Sequence, residues 1–475
     1  MQFTTFAYMG FFAAVFAVYW ATPARRRWVA ALAASVGFYA LFGAPMLAVL
    51  ALCVAGTYAG GLLLEKRRGQ TWALVLCVGA ALLPLLFFKY FNALFGAFAP
   101  QPVSAFSLMM PAGLSFFTFK TVAYLAEVYR GTLDACHSLG RYALYVSIFP
   151  QVSMGPIQRP GDLLAQIDAP HGFDSRQALS GAQLMLWGYF EKLVVAENLA
   201  SYSAVAPERM DRVIGCSVFL TTLFYAVRLY ADFAGYSHIA IGCMQLLGFS
   251  VPENFRGPYW SASVREFWDR WHISLSSWLR DYIYIPLGGS RRGAVRTGCN
   301  LLLTFFVSGL WHGVGLQFAV WGLLHGCYRV VGRFTEPLRA RLWQRSPIAR
   351  ESLPGRAVRV AVTLLLVWVG WVFFSAQSVA HALGIFARMA DGFPYSLQTL
   401  KNGLVMLGLN RILLWRIAFA VAPFLGVDFA ARREGTAVWL PGQKKWLRLL
   451  LCYFALASVL FNAPFQVTEP IYFQF

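Results

Sequence analysis

The sequence is poor in charge. Only 13% of its 475 residues are Asp, Glu, Lys or Arg, and 58% are hydrophobic; soluble domains carry roughly 25% charged residues. This deficit excludes an ordinary soluble domain. The charge present is unbalanced, with 40 Lys+Arg against 21 Asp+Glu and a net +19. In a soluble chain that excess would point to nucleic acid, but between apolar runs it marks cytoplasmic loops that set topology and meet anionic lipid. No nucleic-acid partner is expected. Metal and nucleotide motifs are missing too: there is no HExxH or HxxxH pair and no GxxxxGK[ST] loop. The eight cysteines make no CxxC, and most sit inside apolar runs, so they read as small buried hydrophobes. No metal site and no bound cofactor are expected. The string Gly235-Tyr236-Ser237-His238-Ile239 has the outline of a nucleophile elbow but ends in Ile, and nothing indicates an α/β sheet. The alternating strands of an outer-membrane barrel are also lacking. Residues 1–21 carry no charged n-region and no small-residue cleavage site, so they read as a retained span rather than a signal peptide.

What the chain has instead is a series of apolar runs of membrane-crossing length. They predict an all-α polytopic membrane protein with roughly eleven or twelve spans, plus interfacial and re-entrant helices. Runs at 1–21, 28–42, 46–64 and 71–88 are separated by Arg25-Arg26-Arg27, a Gly43-Ala44-Pro45 turn and Glu65-Lys66-Arg67-Arg68. The two basic breaks agree in placing those ends in the cytoplasm. Residues 113–129 hold Lys120 and Glu127 on one helix face, as a structural ion pair or as the lining of an aqueous path. Residues 141–159 contain Pro150, Gly155 and Pro156 and predict a broken or re-entrant segment. A polar loop is expected at 160–176. Further spans fall at 178–196, 213–230 (with 239–249 as a continuation), 357–374, 403–425 and 446–461, with a basic loop at 333–356 and a surface helix at 379–390. We read one membrane domain over 1–475: N-terminal spans to 100, a core over 101–330 and C-terminal spans from 331.

The chemistry concentrates in 264–326, which holds three of the seven histidines. Residues 264–282 place Val264, Phe267, Trp268, Trp271, Leu275, Trp278, Leu279 and Tyr282 at 3/4 spacing, with Arg265, Asp269, Ser276 and Arg280 opposite. This predicts a helix lying in the membrane interface, with His272 at the border of its faces; a lipid anchor without chemistry is the bland alternative. Residues 300–329 are apolar nearly all round and hold His312 and His325. On one straight helix these would lie roughly 20 Å apart along the axis, too far to share a proton. Either could be a core histidine satisfied by a backbone carbonyl. The remaining chemistry is acid–base work by an imidazole that burial keeps neutral.

The phrases Phe267-Trp268, Arg270-Trp271-His272-Ile273-Ser274-Leu275-Ser276, Trp278-Leu279-Arg280-Asp281-Tyr282, Pro286-Leu287-Gly288-Gly289, Leu310-Trp311-His312-Gly313, Trp321-Gly322 and His325-Gly326 resemble the membrane-bound O-acyltransferase (MBOAT) family. They are most similar to the branch holding the membrane subunit of bacterial alginate O-acetylation. Tyr129-Arg130-Gly131, Ile148-Phe149-Pro150, Gly155-Pro156, Asp232-Phe233-Ala234-Gly235-Tyr236-Ser237, Glu253-Asn254-Phe255 and the closing Ile471-Tyr472-Phe473-Gln474-Phe475 extend the likeness over most of the chain.

The resemblance implies a site in a tunnel through the membrane, with His312 catalytic and His272 a second site histidine; some other branches carry Asn or Asp at the latter position. His325 takes a lesser role. The expected activity is transfer of an acyl group, acetyl by resemblance, from cytoplasmic acetyl-CoA to a hydroxyl on the far side of a bacterial inner membrane. The acceptor would be an exopolysaccharide or cell-wall glycan, reached through a periplasmic partner protein. Arg265, Arg270, Arg280, Asn300, Trp311 and Asp281 are the candidates for holding donor or orienting the histidines. A transporter, using Lys120, Glu127, Arg228 and Asp232, or a scaffold of a polysaccharide export machine are the competing classes.

Overall fold

The computed structural model describes residues 3–98, 110–169, 171–204, 210 and 212–464, with side chains of 92–98 left aside. Residues 101–109 and the closing phrase 471–475 lie outside the described residues. No strand occurs among those described. Among the described residues, six helices are both long and apolar enough to cross a bilayer: Ala44–Lys66, Thr71–Phe91, Ala294–His312, Leu353–Ser375, Arg411–Ala431 and Lys445–Asn462. Other expected crossings fall on shorter apolar helices such as Phe6–Ala21, or on the long helix Gly215–Leu246, which carries Arg228 and Asp232. The chain is an all-α polytopic membrane protein. It packs as two units, Met1–Met185 with Tyr236–Pro252, and Leu186–Gly235 with Glu253–Phe475.

In the first unit, Tyr124, Tyr142 and Tyr145 form a buried aromatic cluster. Their hydroxyls are satisfied locally: Tyr142 donates to Thr57 Oγ1 (2.7 Å) and Tyr145 to the Lys120 carbonyl (2.8 Å). The broken segment expected at 141–159 is a helix, Leu139–Ser147, followed by irregular backbone that is buried throughout 148–158. Buried irregular backbone is tolerated where protein supplies its partners. Here the Phe149 N–H donates to Ser35 Oγ (3.1 Å), and Gln151 bonds Gln158, which donates to the Ser250 carbonyl. Gly113 is left-handed (φ 72°), and a Cβ there would sit 1.9 Å from the Val152 carbonyl oxygen, so no other residue fits.

Several expectations change. Residues 160–176 are not simply a loop: Pro160–Asp168 is helical, with Pro160 at the first turn and Leu163, Leu164 and Ile167 buried on one face. Lys120 and Glu127 form no ion pair, because seven residues is about 10 Å of helical rise. The Lys120 ammonium stands over the Tyr145 ring instead, 4.8 Å from its centroid.

In the second unit, 403–425 is two helices rather than one span. Leu397–Met406 ends at left-handed Gly408, and Asn410 caps Arg411–Ala431 by accepting from the Leu413 N–H (2.9 Å). The basic loop holds a helix, Glu336–Gln344, whose Glu336 pairs with Arg339 and Arg350, each at 2.7 Å. The surface helix Val379–Ala390 buries Ala382, Ile385 and Met389 against Val218 and Val372. Among the cysteines, Cys299 and Cys327 are exposed and so are not core.

Candidate active site

The apolar stretch 300–329 is a hairpin, not a single helix. Ala294–His312 ends at His312, residues 313–315 turn the chain, and Leu316–Phe334 returns. Glycine permits the close approach. A Cβ on Gly309 would lie 2.3 Å from the Phe318 carbonyl oxygen, and one on Gly322 would lie 2.3 Å from that of Phe305. Small residues at such crossings let two helix backbones touch. The straight-helix spacing of His312 and His325 therefore does not hold: Trp321 lies between the rings, 4.9 Å from His312 and 5.0 Å from His325 by centroid.

His312 is 4% exposed. Its ring meets Trp311 (4.8 Å), Trp321 and Phe374 (5.2 Å), the last from Leu353–Ser375. His325 is fully buried, and Trp268 Nε1–H donates to its Nδ1 at 3.3 Å. Indole nitrogen only donates, so the His325 proton sits on Nε2. That Nε2 abuts Gly370, where a Cβ would come within 2.5 Å. His325 is thus wedged among Trp268, Trp321 and Trp371 with its acceptor nitrogen occupied.

The expected interfacial helix 264–282 is broken at its histidine. Val264–Arg270 stops, His272 adopts left-handed φ 44° and ψ 54°, Ile273–Leu279 follows, and a π-helical turn, Arg280–Tyr284, closes the segment. His272 is the one non-glycine with positive φ among the described residues. The tryptophan stripe faces protein, not lipid: Phe267, Trp268, Trp271, Leu275 and Trp278 are all buried. A Trp-rich stripe reads the same in sequence whether it anchors to headgroups or packs in a core, and here tertiary packing decides.

At the break, His272 is 1% exposed. Its Nδ1 lies 3.1 Å from Asn254 Oδ1, its ring takes the edge of Phe233 at 4.6 Å, and Trp311 lies 6.3 Å away. Trp311 therefore neighbours both histidine rings. Burial lowers the His272 imidazole from its usual 6.5 to about 3, which keeps it neutral. Phe233 belongs to the Asp232-Phe233-Ala234-Gly235 phrase. Asp232 is salt-bridged to Lys192 (2.6 Å), which also pairs with Glu197 (2.5 Å), and all three are 1% exposed at the side chain. A Cβ on Gly235 would crowd the Gly188 carbonyl oxygen at 2.8 Å, so glycine brings the helix carrying Phe233 against the π-helix Phe190–Ala196.

The arginines separate by environment. Arg265 (78% exposed side chain) is only loosely paired with Asp269 at 3.9 Å, whereas Arg270 is half-enclosed and bound to Glu266 at 2.6 Å. Arg280 (62% exposed) and Asp281 pair with each other at 2.8 Å. Asn300 is buried and donates to the carbonyls of Leu287 (3.3 Å) and Gly289 (3.0 Å), so it holds the Pro286–Gly289 turn. Asn254, Phe233, Trp321 and Phe374 were not among the residues expected at the site. All but Phe374 stand in phrases that carry the resemblance, but nothing local marks them. The buried Lys192 group was missed inside an expected span, where Glu191-Lys192 was the available signal.

Fold and site together define a polytopic helical membrane protein with imidazoles sunk among aromatic rings, an arrangement that can support proton transfer. The membrane-bound O-acyltransferase family profile matches residues 133–364. The chain is 33% identical, over the whole of both chains, to the probable alginate O-acetylase AlgI of Pseudomonas putida. It is 35% identical to that of Azotobacter vinelandii, covering 85% of this chain and 81% of the relative. It is 29% identical to the peptidoglycan O-acetyltransferase of Helicobacter pylori, covering 75% and 72%. The chain belongs to the membrane-bound O-acyltransferase family and is a membrane O-acyltransferase.

Proposed function

We propose that this enzyme moves an acetyl group from acetyl-CoA, at the cytoplasmic face of a bacterial inner membrane, to a hydroxyl on the opposite side. The final acceptor is an exopolysaccharide or cell-wall glycan, in line with the alginate and peptidoglycan named for its relatives. A periplasmic partner protein receives the acyl group and hands it on, since the described residues include no soluble domain that could work along a polymer.

The observation that carries this reading is the proximity of His272, Trp311 and His312. These are two buried imidazoles that both neighbour one indole, at the end of a spanning helix. In the reaction, His312 accepts the proton of the acceptor hydroxyl. The oxygen attacks the thioester carbonyl carbon, the C–S bond breaks, and the departing sulfur takes the proton back. The products are the O-acetyl ester and free CoA thiol. Arg265 and Arg280, whose guanidinium groups are exposed, are placed to meet the donor's phosphates; Arg270, held by Glu266, contributes through packing.

Replacing His312 with Ala should lower thiol release by roughly 10²–10⁴-fold with donor and partner present. A folded, inserted His312→Ala protein that releases thiol at the wild-type rate would end the assignment. Arg265→Ala and Arg280→Ala should raise the donor KM and weaken its salt dependence while leaving kcat near wild type. An unchanged KM in both would remove the arginines from donor binding.

A further inference from the structure

We propose that Asn254 is a positioning residue that fixes His272 as the Nδ1–H tautomer, so that Nε2 carries the lone pair and His272 serves the site as a proton acceptor. The tautomer stands on geometry alone; the acceptor role rests on the acyl-transfer reading above.

Asn254 Oδ1 receives two other donors. The Ser274 backbone N–H reaches it at 3.3 Å and the Ser274 hydroxyl at 2.9 Å. A backbone amide can only donate, so the atom it meets is the carboxamide oxygen and not the NH₂ group, which settles the orientation of the amide. An amide oxygen can only accept. His272 Nδ1, 3.1 Å away, must therefore donate to it. A neutral imidazole has one N–H, so the other nitrogen, Nε2, holds the lone pair.

The surroundings keep this arrangement from relaxing. Asn254 is 0% exposed. Its carbonyl accepts from the Ile273 N–H (3.0 Å), and the Arg256 N–H donates to the Arg270 carbonyl (3.0 Å). The Glu253-Asn254-Phe255 strip is thus tied to the chain on both sides of His272. The left-handed turn at His272 is what lets Asn254 Oδ1 meet Nδ1 and the Ser274 N–H together.

One consequence follows for the chemistry. A neutral ring whose N–H is committed to Asn254 has no second hydrogen to offer an oxyanion. Of the roles open to His272, donation to the oxyanion falls away and acceptance of a proton or hydrogen bond remains. His325 has the opposite tautomer, imposed by Trp268, and supplies an internal reference.

The test is ¹⁵N spectroscopy of histidine-labelled full-length protein in nanodiscs, with the His272 signals assigned by difference from His272→Asn and thiol release measured on the same samples. Wild-type protein should show a protonated Nδ1 and an unprotonated Nε2 at His272, and the reverse at His325. Asn254→Ala should mix the His272 tautomers and lower kcat by about tenfold or more, with little change in donor KM. Asn254→Asp keeps an oxygen acceptor and should retain the wild-type tautomer. A wild-type His272 protonated on Nε2, or an unchanged tautomer in Asn254→Ala, overturns the proposal. If Asn254→Ala does not fold, the wild-type and Asn254→Asp spectra still decide it. Full thioester turnover by a ring protonated on Nε2 would overturn the tautomer and leave the acyltransferase reading standing. The expected tautomer in a chain that never cleaves thioester would overturn the acceptor role and that reading, but not the geometry.

Discussion

His272 titrates against the fold. Its folded value of about 3 lies below the ordinary 6.5 because burial penalises the cation. Between those values the unfolded chain binds a proton that the folded chain refuses, so acid favours unfolding. The contribution is neutral above about pH 6.5 and turns against the fold as pH drops toward 3. Over pH 6.5 to 5 this amounts to about 2 kcal/mol. His272→Asn, which tolerates the left-handed backbone, should lose that part of the pH dependence. Denaturation at pH 5 and at pH 8 should show a smaller difference for the variant than for wild type, and an equal difference would mean that the ring is protonated when folded. At this scale the sequence was legible only in part. His312 and His272 stood in recognisable phrases, but Asn254, eighteen residues upstream of its partner, had no periodicity or spacing to connect it to His272. Contacts made by a chain reversal leave no mark in either segment alone.

At the level of elements, the hairpin of Ala294–His312 and Leu316–Phe334 depends on backbone contact. Gly322→Ala would place a methyl 2.3 Å from the Phe305 carbonyl oxygen and should cost about 1–3 kcal/mol as the helices separate. Gly298→Ala in the first of these helices meets only ordinary contacts at 3.7 Å or more and should be near neutral. Thermal stability of the two variants in detergent checks the contrast; similar losses would remove the close packing as the reason for glycine at 322. The turn was hard to see because Gly313-Val314-Gly315 interrupts an apolar run without polarity or proline. The break at His272 was equally hidden: apolar spacing continues through it, since the residues on either side bury themselves in the same core. Where a glycine or proline did interrupt a run, as at Gly155-Pro156, the expected irregularity is present.

At the scale of the whole molecule, composition alone carried the architecture. Scarce charge and repeated apolar runs require helices in lipid, and that is what the chain forms. Span number was less legible, because helices that bury polar groups in protein do not look like lipid-facing ones. The Lys192, Glu197 and Asp232 group is the extreme case, a charged cluster closed off within the second unit. Lys192→Met would leave two carboxylates buried without their shared cation and should cost about 3–5 kcal/mol. Arg68→Ala, which breaks an exposed pair with Asp134, should cost about 1 kcal/mol or less. Comparable losses in the two variants, measured by unfolding in the same detergent, would show that the buried cluster is not closed to solvent.

The backbone at residue 272 also bears on what evolution can place there. Positive φ is reached most readily, glycine aside, by Asn, Asp and His, and hardly at all by branched or bulky side chains. The family resemblance implies the same short list, His, Asn or Asp, for this position. The chain reversal limits the alphabet first, and chemistry then selects from the few letters left.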